Sequence, residues 1–246
     1  YDCDNGEDDT ISSLPPVVTI QEDAISSAPP FLLTLPQMNA LRKSVLPTGL
    51  HHRPWKRIYS LMRDGDSFVA FRKRMEDWNK QQGSISNTNT TTSTNTTTLL
   101  VVKTTKGDVI GGYADVPIVP LASNIVGSGG RSCLFKILRK QQEDCEEEED
   151  PVVGVEVYGK DCFVSKKVLF SASRRIVAFG GGNGGGDNSD GNDGGSLDEG
   201  FGLCLSDGFA RGTTARCVAF RNEPLVDDGV FDVLDVEVWG FVFGQF

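Results

Sequence analysis

The most constraining feature of the sequence is the pattern of its last forty-odd residues, 200–246. Apolar and polar residues alternate along Phe231–Phe243, and two shorter apolar runs, Phe201–Ser206 and Ala215–Phe220, precede this run. Side chains of a strand point alternately to opposite faces, so the pattern predicts a β-strand for each run. Strands that follow one another this closely pair as antiparallel neighbours. We therefore expect the rest of the chain to pack on these strands.

Further strand-like runs lie upstream, and few helical segments separate them. A hairpin is predicted where Leu99–Thr104 and Asp108–Ala114 flank a short turn that ends in Gly107. The other predicted strands are Ser132–Leu138, Val152–Tyr158, Cys162–Val164, Lys167–Phe170 and Arg174–Phe179. Since strands and helices do not alternate, a parallel doubly wound sheet is unfavourable. The sequence predicts an α+β protein, an antiparallel two-sheet β-sandwich flanked by short helices.

Three helices are predicted before the first of these strands. Apolar residues recur at helical spacing in three stripes: Leu35, Met38, Leu41 and Val45 after an N-cap at Thr34; Trp55, Ile58, Tyr59 and Met62; and Phe68, Phe71, Met75 and Trp78 after a cap at Ser67. Basic residues lie opposite these stripes and are predicted to form a basic face. Its main members are Arg42, Lys43, Lys56, Arg57, Arg72 and Lys73. Such a face is either simply solvated or binds an anionic protein partner. It lacks the features of a nucleic-acid-binding surface.

The acidic residues are concentrated in segments of low complexity. The formal net charge is −10, but nineteen of the 34 acidic residues lie in residues 1–30, 143–150 and 187–199. Such segments contain too little apolar surface to fold. We expect a disordered acidic segment over residues 1–32 and a single domain over 33–246, with low-complexity insertions near 83–98, 140–151 and 180–200. The remainder of the chain is basic.

Neither a metal nor a cofactor is predicted. The six cysteines have no C-x-x-C spacing, which argues against a zinc site and against a disulfide framework. Gly180, Gly182 and Gly185 satisfy G-x-G-x-x-G, but the residues that follow cannot open the helix that dinucleotide binding requires. No apolar run approaches the ~20 residues of a membrane span. The expected compartment is the cytoplasm, with the nucleus, the mitochondrion and the periphery of acidic organelles as alternatives.

Candidate chemistry lies in the final strand and the loop before it. Asp235 and Glu237 lie on the same face of the strand as Trp239 and Phe241. Glu223 could approach this face from the loop. Neighbouring carboxylates could bind a cation or transfer a proton, as in a hydrolase. Alternatively they form ion pairs with Arg211, Arg216 or Arg221. Cys217, beside Arg216, is the best candidate for a peroxide-reactive thiol, which would have to be exposed.

The sequence also resembles the TLDc domain, the module of the oxidation-resistance proteins, over residues 33–243. In the C-terminal half the resemblance rests on Asn222-Glu223-Pro224-Leu225, on Val236-Glu237-Val238-Trp239-Gly240-Phe241, on Phe201-Gly202-Leu203 and on the Gly-rich run after Phe179. In the N-terminal half it rests on Leu35-Pro36, Leu41-Arg42, Trp55 with Ile58-Tyr59-Ser60, Arg63 with Gly65 and Ser67-Phe68, Thr98-Leu99-Leu100-Val101, and Gly107 with Ile110-Gly111-Gly112-Tyr113. The resemblance implies the same sandwich architecture.

The resemblance implies a non-catalytic interaction module. TLDc proteins are associated with protection from oxidative stress and with binding and regulating the vacuolar-type proton ATPase. The residues that match the family motif would form its characteristic surface or support it: Asn222, Glu223, Pro224, Asp235, Glu237, Trp239, Gly240 and Phe241. In some members a helix after the last strand serves in docking, and the present sequence ends at Phe246. The alternative is an enzyme of unknown reaction that uses Glu223 and Glu237, or Cys217.

Overall fold

A computed structural model describes residues 30–83, 96–116, 118, 131–138, 153–160, 168–171, 175–180 and 200–242. The helices are α1 (Leu35–Ser44), α2 (Leu61–Asp64) and α3 (Phe68–Gly83). The strands are β1 (Trp55–Ser60), β2 (Thr98–Thr104), β3 (Val109–Ala114), β4 (Cys133–Ile137), β5 (Val155–Tyr158), β6 (Val168–Ser171), β7 (Ile176–Gly180), β8 (Phe201–Ser206), β9 (Arg211–Thr213) and β10 (Val230–Phe241). No helix in these ranges is long and apolar enough to cross a bilayer.

All of these strands pair in the antiparallel sense into one continuous sheet. Its order is β5, β4, β3, β2, β10, β9, β8, β7 and β6, with β1 on β10 beside this path. Strand β10 joins the two arms of the sheet: Val230–Asp232 pair with β9, whereas residues 233–240 pair with β2 and residues 237–241 with β1. A register shift between Val233 and Asp235 marks the change of partner. The strand predicted as the organising element therefore contacts three others.

Of the three buried clusters in the described residues, the two largest lie on either side of β10, and we call them the first and second core. In the first core, Leu100 and Ile110 of one arm meet Val177 and Leu203 of the other. The second core lies under α1 and includes Met38, Leu41, Trp55, Trp239 and Phe241. The α+β class and the antiparallel pairing are confirmed. Instead of two separate sheets, however, the described strands form one sheet, because β10 is hydrogen-bonded into both arms.

Helices α1 and α3 agree with the prediction. Thr34 caps α1: its hydroxyl accepts a hydrogen bond from the Gln37 backbone, and the Gln37 side chain accepts one from the Thr34 backbone. In α3, the Ser67 hydroxyl accepts a hydrogen bond from the Ala70 backbone at 3.4 Å. The predicted apolar stripe of α3 is buried in the first core, whereas α1 packs in the second. The two helices therefore cover different clusters.

The predicted helix around Trp55–Met62 is wrong. Residues 55–60 form β1, and only Leu61–Asp64 are helical. A β-bulge between Arg57 and Tyr59 places both Ile58 and Tyr59 in the first core, which interrupts the alternation of a regular strand. Trp55, Ile58 and Tyr59 therefore have the i, i+3, i+4 spacing of apolar residues that is typical of a helix.

The predicted strand Ala215–Phe220 is also wrong. The Arg221 backbone N–H donates to the Val218 carbonyl within a turn, and Arg221 takes a left-handed φ of 54°. Cys217 and Asn222 form an isolated bridge and not a strand pair. Cys217 and Phe220 are apolar because the loop buries them in the first core. The predicted strand Cys162–Val164 lies outside the described residues.

Candidate functional site

The site begins with two motif residues on one face of β10. Glu237 and Trp239 are two positions apart, so both point toward the second core, while Val236 and Val238 point into the first. Their common face was predicted correctly. It is not a surface, however, because α1 and the segment before it cover it, and both side chains are fully buried.

A buried ion pair joins Glu237 to β1. Arg57 lies opposite Trp239 in the pairing of β1 with β10, and its Nη1 donates to Glu237 Oε1 at 3.0 Å. The exposed fractions of the two side chains are 1% and 0%. The Trp239 indole Nε1 donates to the other carboxylate oxygen, also at 3.0 Å. Both oxygens of Glu237 are thus held by side chains of strands, which compensates the charge that burial would otherwise penalise.

Residues 30–32 lie directly on this pair. The Leu32 backbone N–H donates to the Glu237 carboxylate, and Arg57 Nη1 donates to the Pro30 carbonyl at 3.4 Å. Between them, the Phe31 ring lies 4.6 Å from the Arg57 guanidinium carbon and packs edge-on against Trp239 at 5.1 Å. We call the arrangement of Arg57, Glu237 and Trp239 the Phe31 site. These three residues were predicted to belong to the disordered acidic segment 1–32.

Burial sets the protonation behaviour of the two carboxylates on β10. Loss of solvent raises the pKa of Glu237, and the hydrogen bond from Arg57 opposes this rise. Burial also raises the pKa of Asp235, which accepts hydrogen bonds from the backbone N–H groups of Val236 and Met62. Asp235 therefore ties the start of α2 to the point at which β10 changes partner. Each carboxylate is hydrogen-bonded to other groups of the chain, so both motif positions have a structural role.

The loop that carries Glu223 forms a separate feature. The buried Asn222 amide donates to the carbonyls of Ala215 and Glu223 at 3.0 and 2.9 Å and so closes the loop. Glu223 lies 3.5 Å from Arg216, and their side chains are 75% and 79% exposed. Pro224 is exposed beside it. The predicted approach of Glu223 to Glu237 is therefore wrong, since one carboxylate is in solvent and the other is enclosed.

The remaining motif residues on β10 serve packing. A Cβ at Gly240 would lie 2.4 Å from the Trp78 ring, so the absence of a side chain allows α3 to approach the strand. Phe241 packs edge-on against Trp55 at 5.4 Å. Gly240 thus admits α3 on the first-core face of β10, while Phe241 contacts a β1 side chain on the second-core face.

The candidate thiol is not accessible. Cys217 is 4% exposed, and a Cβ added at Gly180 would lie 2.7 Å from its sulfur, so the thiol is enclosed by the end of β7. Cys133 and Cys204 are likewise buried and unbridged. A peroxide-reactive cysteine must meet solvent, so Cys217 does not meet the condition on which the thiol alternative depended. Within the described ranges, no group of three or more His, Cys, Asp or Glu side chains is placed to hold a metal ion.

The predicted basic face is not one surface. Arg42 and Arg57 are buried, 2% and 1% exposed, because they bond inside the second core, Arg42 to the His51 carbonyl and Arg57 to Glu237. Lys43 lies on α1, whereas Arg72 and Lys73 lie on α3, and these helices cover different cores. Lys56 belongs with α3: its Nζ lies 3.1 Å from Gln81 Oε1 and 5.6 Å from the Trp78 ring centroid. We call Lys56, Arg72 and Lys73 the α3 basic surface.

Sequence reasoning found Glu237 and Trp239 but missed their partners. Arg57 was assigned to the exposed basic face, and Phe31 and Leu32 to the tail. One signal was available: if Trp55–Ser60 is a strand, then Arg57 has its place on the same face as Trp55. That face could have been recognised as buried from its tryptophan.

Comparison with known proteins gives a consistent result. The sequence model of the family described as TLDc domain matches residues 27–242. The chain is similar to Oxidation resistance protein 1 of Podospora anserina, with 27% identity over 208 residues. That match covers 75% of this chain and 52% of the relative, so the chain spans about half the length of this curated relative.

Proposed function

Because the chain belongs to the TLDc family, we propose that it is a non-catalytic interaction module that acts in protection against oxidative stress. The observation that carries the proposal is the state of Glu237, the motif carboxylate: both of its oxygens are occupied by Arg57 and Trp239 in a buried site. A carboxylate held in this way supports the scaffold, and it is poorly placed to accept a substrate proton. The similarity to an oxidation resistance protein agrees with the proposed role.

We propose the vacuolar-type proton ATPase as the protein partner, with its peripheral sector bound from the cytoplasm. We propose the α3 basic surface as the contact, because Arg72 and Lys73 are exposed on α3 and Lys56 is partly exposed beside the same helix. Cations grouped on one helix attract an anionic surface, and salt screens this attraction. Binding is therefore expected to weaken as the salt concentration rises.

A binding titration tests this proposal. The chain is titrated against the purified peripheral sector of the ATPase at low and moderate salt. Lys73→Glu should weaken binding several-fold at low salt, whereas Lys43→Glu, the same change on α1, should leave it unchanged. No binding at about 50 μM would reject this partner, and equal effects of the two variants would reject the α3 basic surface as the contact.

We also propose that residues 33–246 form a single TLDc domain whose two sheet arms act as the layers of a sandwich. Two close contacts support this arrangement. A Cβ at Gly112 on one arm would lie 2.6 Å from the Phe179 ring on the other, and a Cβ at Gly202 would lie 2.4 Å from Leu134. The insertions near 83–98, 140–151 and 180–200 would extend loops of this domain.

A further inference from the structure

The Phe31 site consists of side chains that hold one another. Arg57 and Trp239 face each other on β1 and β10, and both donate to Glu237, each at 3.0 Å. The bond from Arg57 joins β1 to β10, the bond from Trp239 lies within β10, and neither involves Phe31. The site therefore keeps its shape from the sheet, as a preorganised binding site does.

The segment that occupies the site, residues 30–32, is not part of the sheet. Residues 30–32 belong to neither a helix nor a strand, and Phe31 is 36% exposed although its ring contacts Arg57 and Trp239. Leu33 is buried, and the chain enters regular structure only at Leu35, where α1 begins after its cap at Thr34. Residues up to Leu32 can thus leave while α1 remains in place.

The contacts define what the site recognises. Arg57 donates to the carbonyl before the aromatic residue, and Glu237 accepts the N–H after it. On the side of the bound segment these two hydrogen bonds involve only main-chain groups, so they do not depend on its sequence. The Phe31 ring packs over the Arg57 guanidinium at 4.6 Å and edge-on against Trp239 at 5.1 Å. The site therefore fits an extended segment with one aromatic side chain.

We propose that the Phe31 site is an exchangeable docking site for an extended, aromatic-containing segment of a partner protein. Phe31 occupies it in cis, and the partner segment enters when residues 30–32 leave. This proposal does not depend on the identity of the ATPase as a partner, because it concerns the second-core side of β10 and not the α3 basic surface.

A peptide titration tests the exchange. The probe is a labelled peptide with the sequence of residues 26–34, SSAPPFLLT, and the receptor is the full chain with Phe31→Ala. The peptide should bind this variant more tightly than it binds the unaltered chain, in which Phe31 competes. A matched peptide with alanine in place of the phenylalanine should bind about tenfold more weakly, since it loses both ring contacts. Equal binding of the two peptides, or no binding of either, would overturn the proposal.

A second measurement needs no variant and so remains decisive if Phe31→Ala fails to fold. The Leu32 amide proton is bonded to a buried carboxylate, and its hydrogen exchange reports opening of the segment. If residues 30–32 leave locally, this amide exchanges well before the Val238 amide, which pairs with β2. Exchange of both amides only through global unfolding would show that the segment does not vacate the site, and the proposal would fail.

Discussion

At the scale of single residues, the fold depends on the hydrogen bonds made by the buried carboxylate of Glu237. Placing an isolated carboxylate in the position of Glu237 would cost several kcal/mol, and the donors of Arg57, Trp239 and Leu32 offset that cost. Glu223 has one exposed partner and remains in solvent. Two carboxylates of the same motif region therefore differ in what their removal does.

We expect Glu237→Ala to lower the free energy of unfolding by roughly 3–5 kcal/mol, because it leaves Arg57 buried without its counter-ion and Trp239 without its acceptor. The control is Glu223→Ala, which removes an exposed pair and should change stability by less than about 1 kcal/mol. Urea unfolding followed by tryptophan fluorescence measures both. Similar small losses in the two variants would contradict a structural role for the buried pair.

At the scale of elements, the end of β7 and the start of β8 lie side by side, although a long insertion separates them in the sequence. Gly180 and Gly200, at its two ends, take φ of 93° and 94°, and a Cβ at Gly180 would lie 3.5 Å from the Gly200 carbonyl oxygen. Gly180 also pairs with Phe201. The two ends are already adjacent, so a short turn can join them.

Deletion of residues 183–198 should therefore leave the melting temperature within about 3 °C of its original value, since shortening a loop changes its closure entropy only slowly with length. Differential scanning calorimetry measures the change. A replacement of the same sixteen residues by Gly and Ser separates loop length from loop sequence. A large loss of stability in both variants would show that the insertion packs on the domain.

Elements were predictable from the sequence where one regular period governs them. The α1 cap at Thr34, the α3 stripe and the β2–β3 hairpin follow from local chemistry. Strand β1 was not predictable in this way, because its bulge replaces the period of two with helical spacing. The candidate site was half found: Glu237 lies in a recognisable motif, but Arg57 is 180 positions away in the chain, and no local pattern connects them.

At the scale of the whole molecule, contact between the two sheet arms is the feature on which the first core depends. Gly112 of β3 faces the fully buried Phe179 of β7, and the ring occupies the space that a side chain at Gly112 would need. Neither strand can yield easily, since each is paired on both sides: β3 by β2 and β4, and β7 by β6 and β8.

Gly112→Ala should accordingly destabilise the protein by about 1–3 kcal/mol, the usual cost of overpacking a closed core. Gly49→Ala is the matched control: no atom from elsewhere in the fold lies within 4 Å of the added methyl group, and its effect should stay within about 1 kcal/mol. Guanidinium unfolding measures the two. A neutral Gly112→Ala would mean that the arms can separate, and the proposed two-layer packing would then be wrong.

The central position of β10 also matters while the protein is being made. A ribosome completes β1, β2 and β9 before residues 230–241 exist, yet each of these strands pairs with β10. Until that strand emerges, their unpaired edges are free to bind the wrong chain, which is how sheet proteins aggregate. We therefore expect a nascent chain stalled before Val230 to bind chaperones more strongly than one in which β10 has emerged from the ribosome.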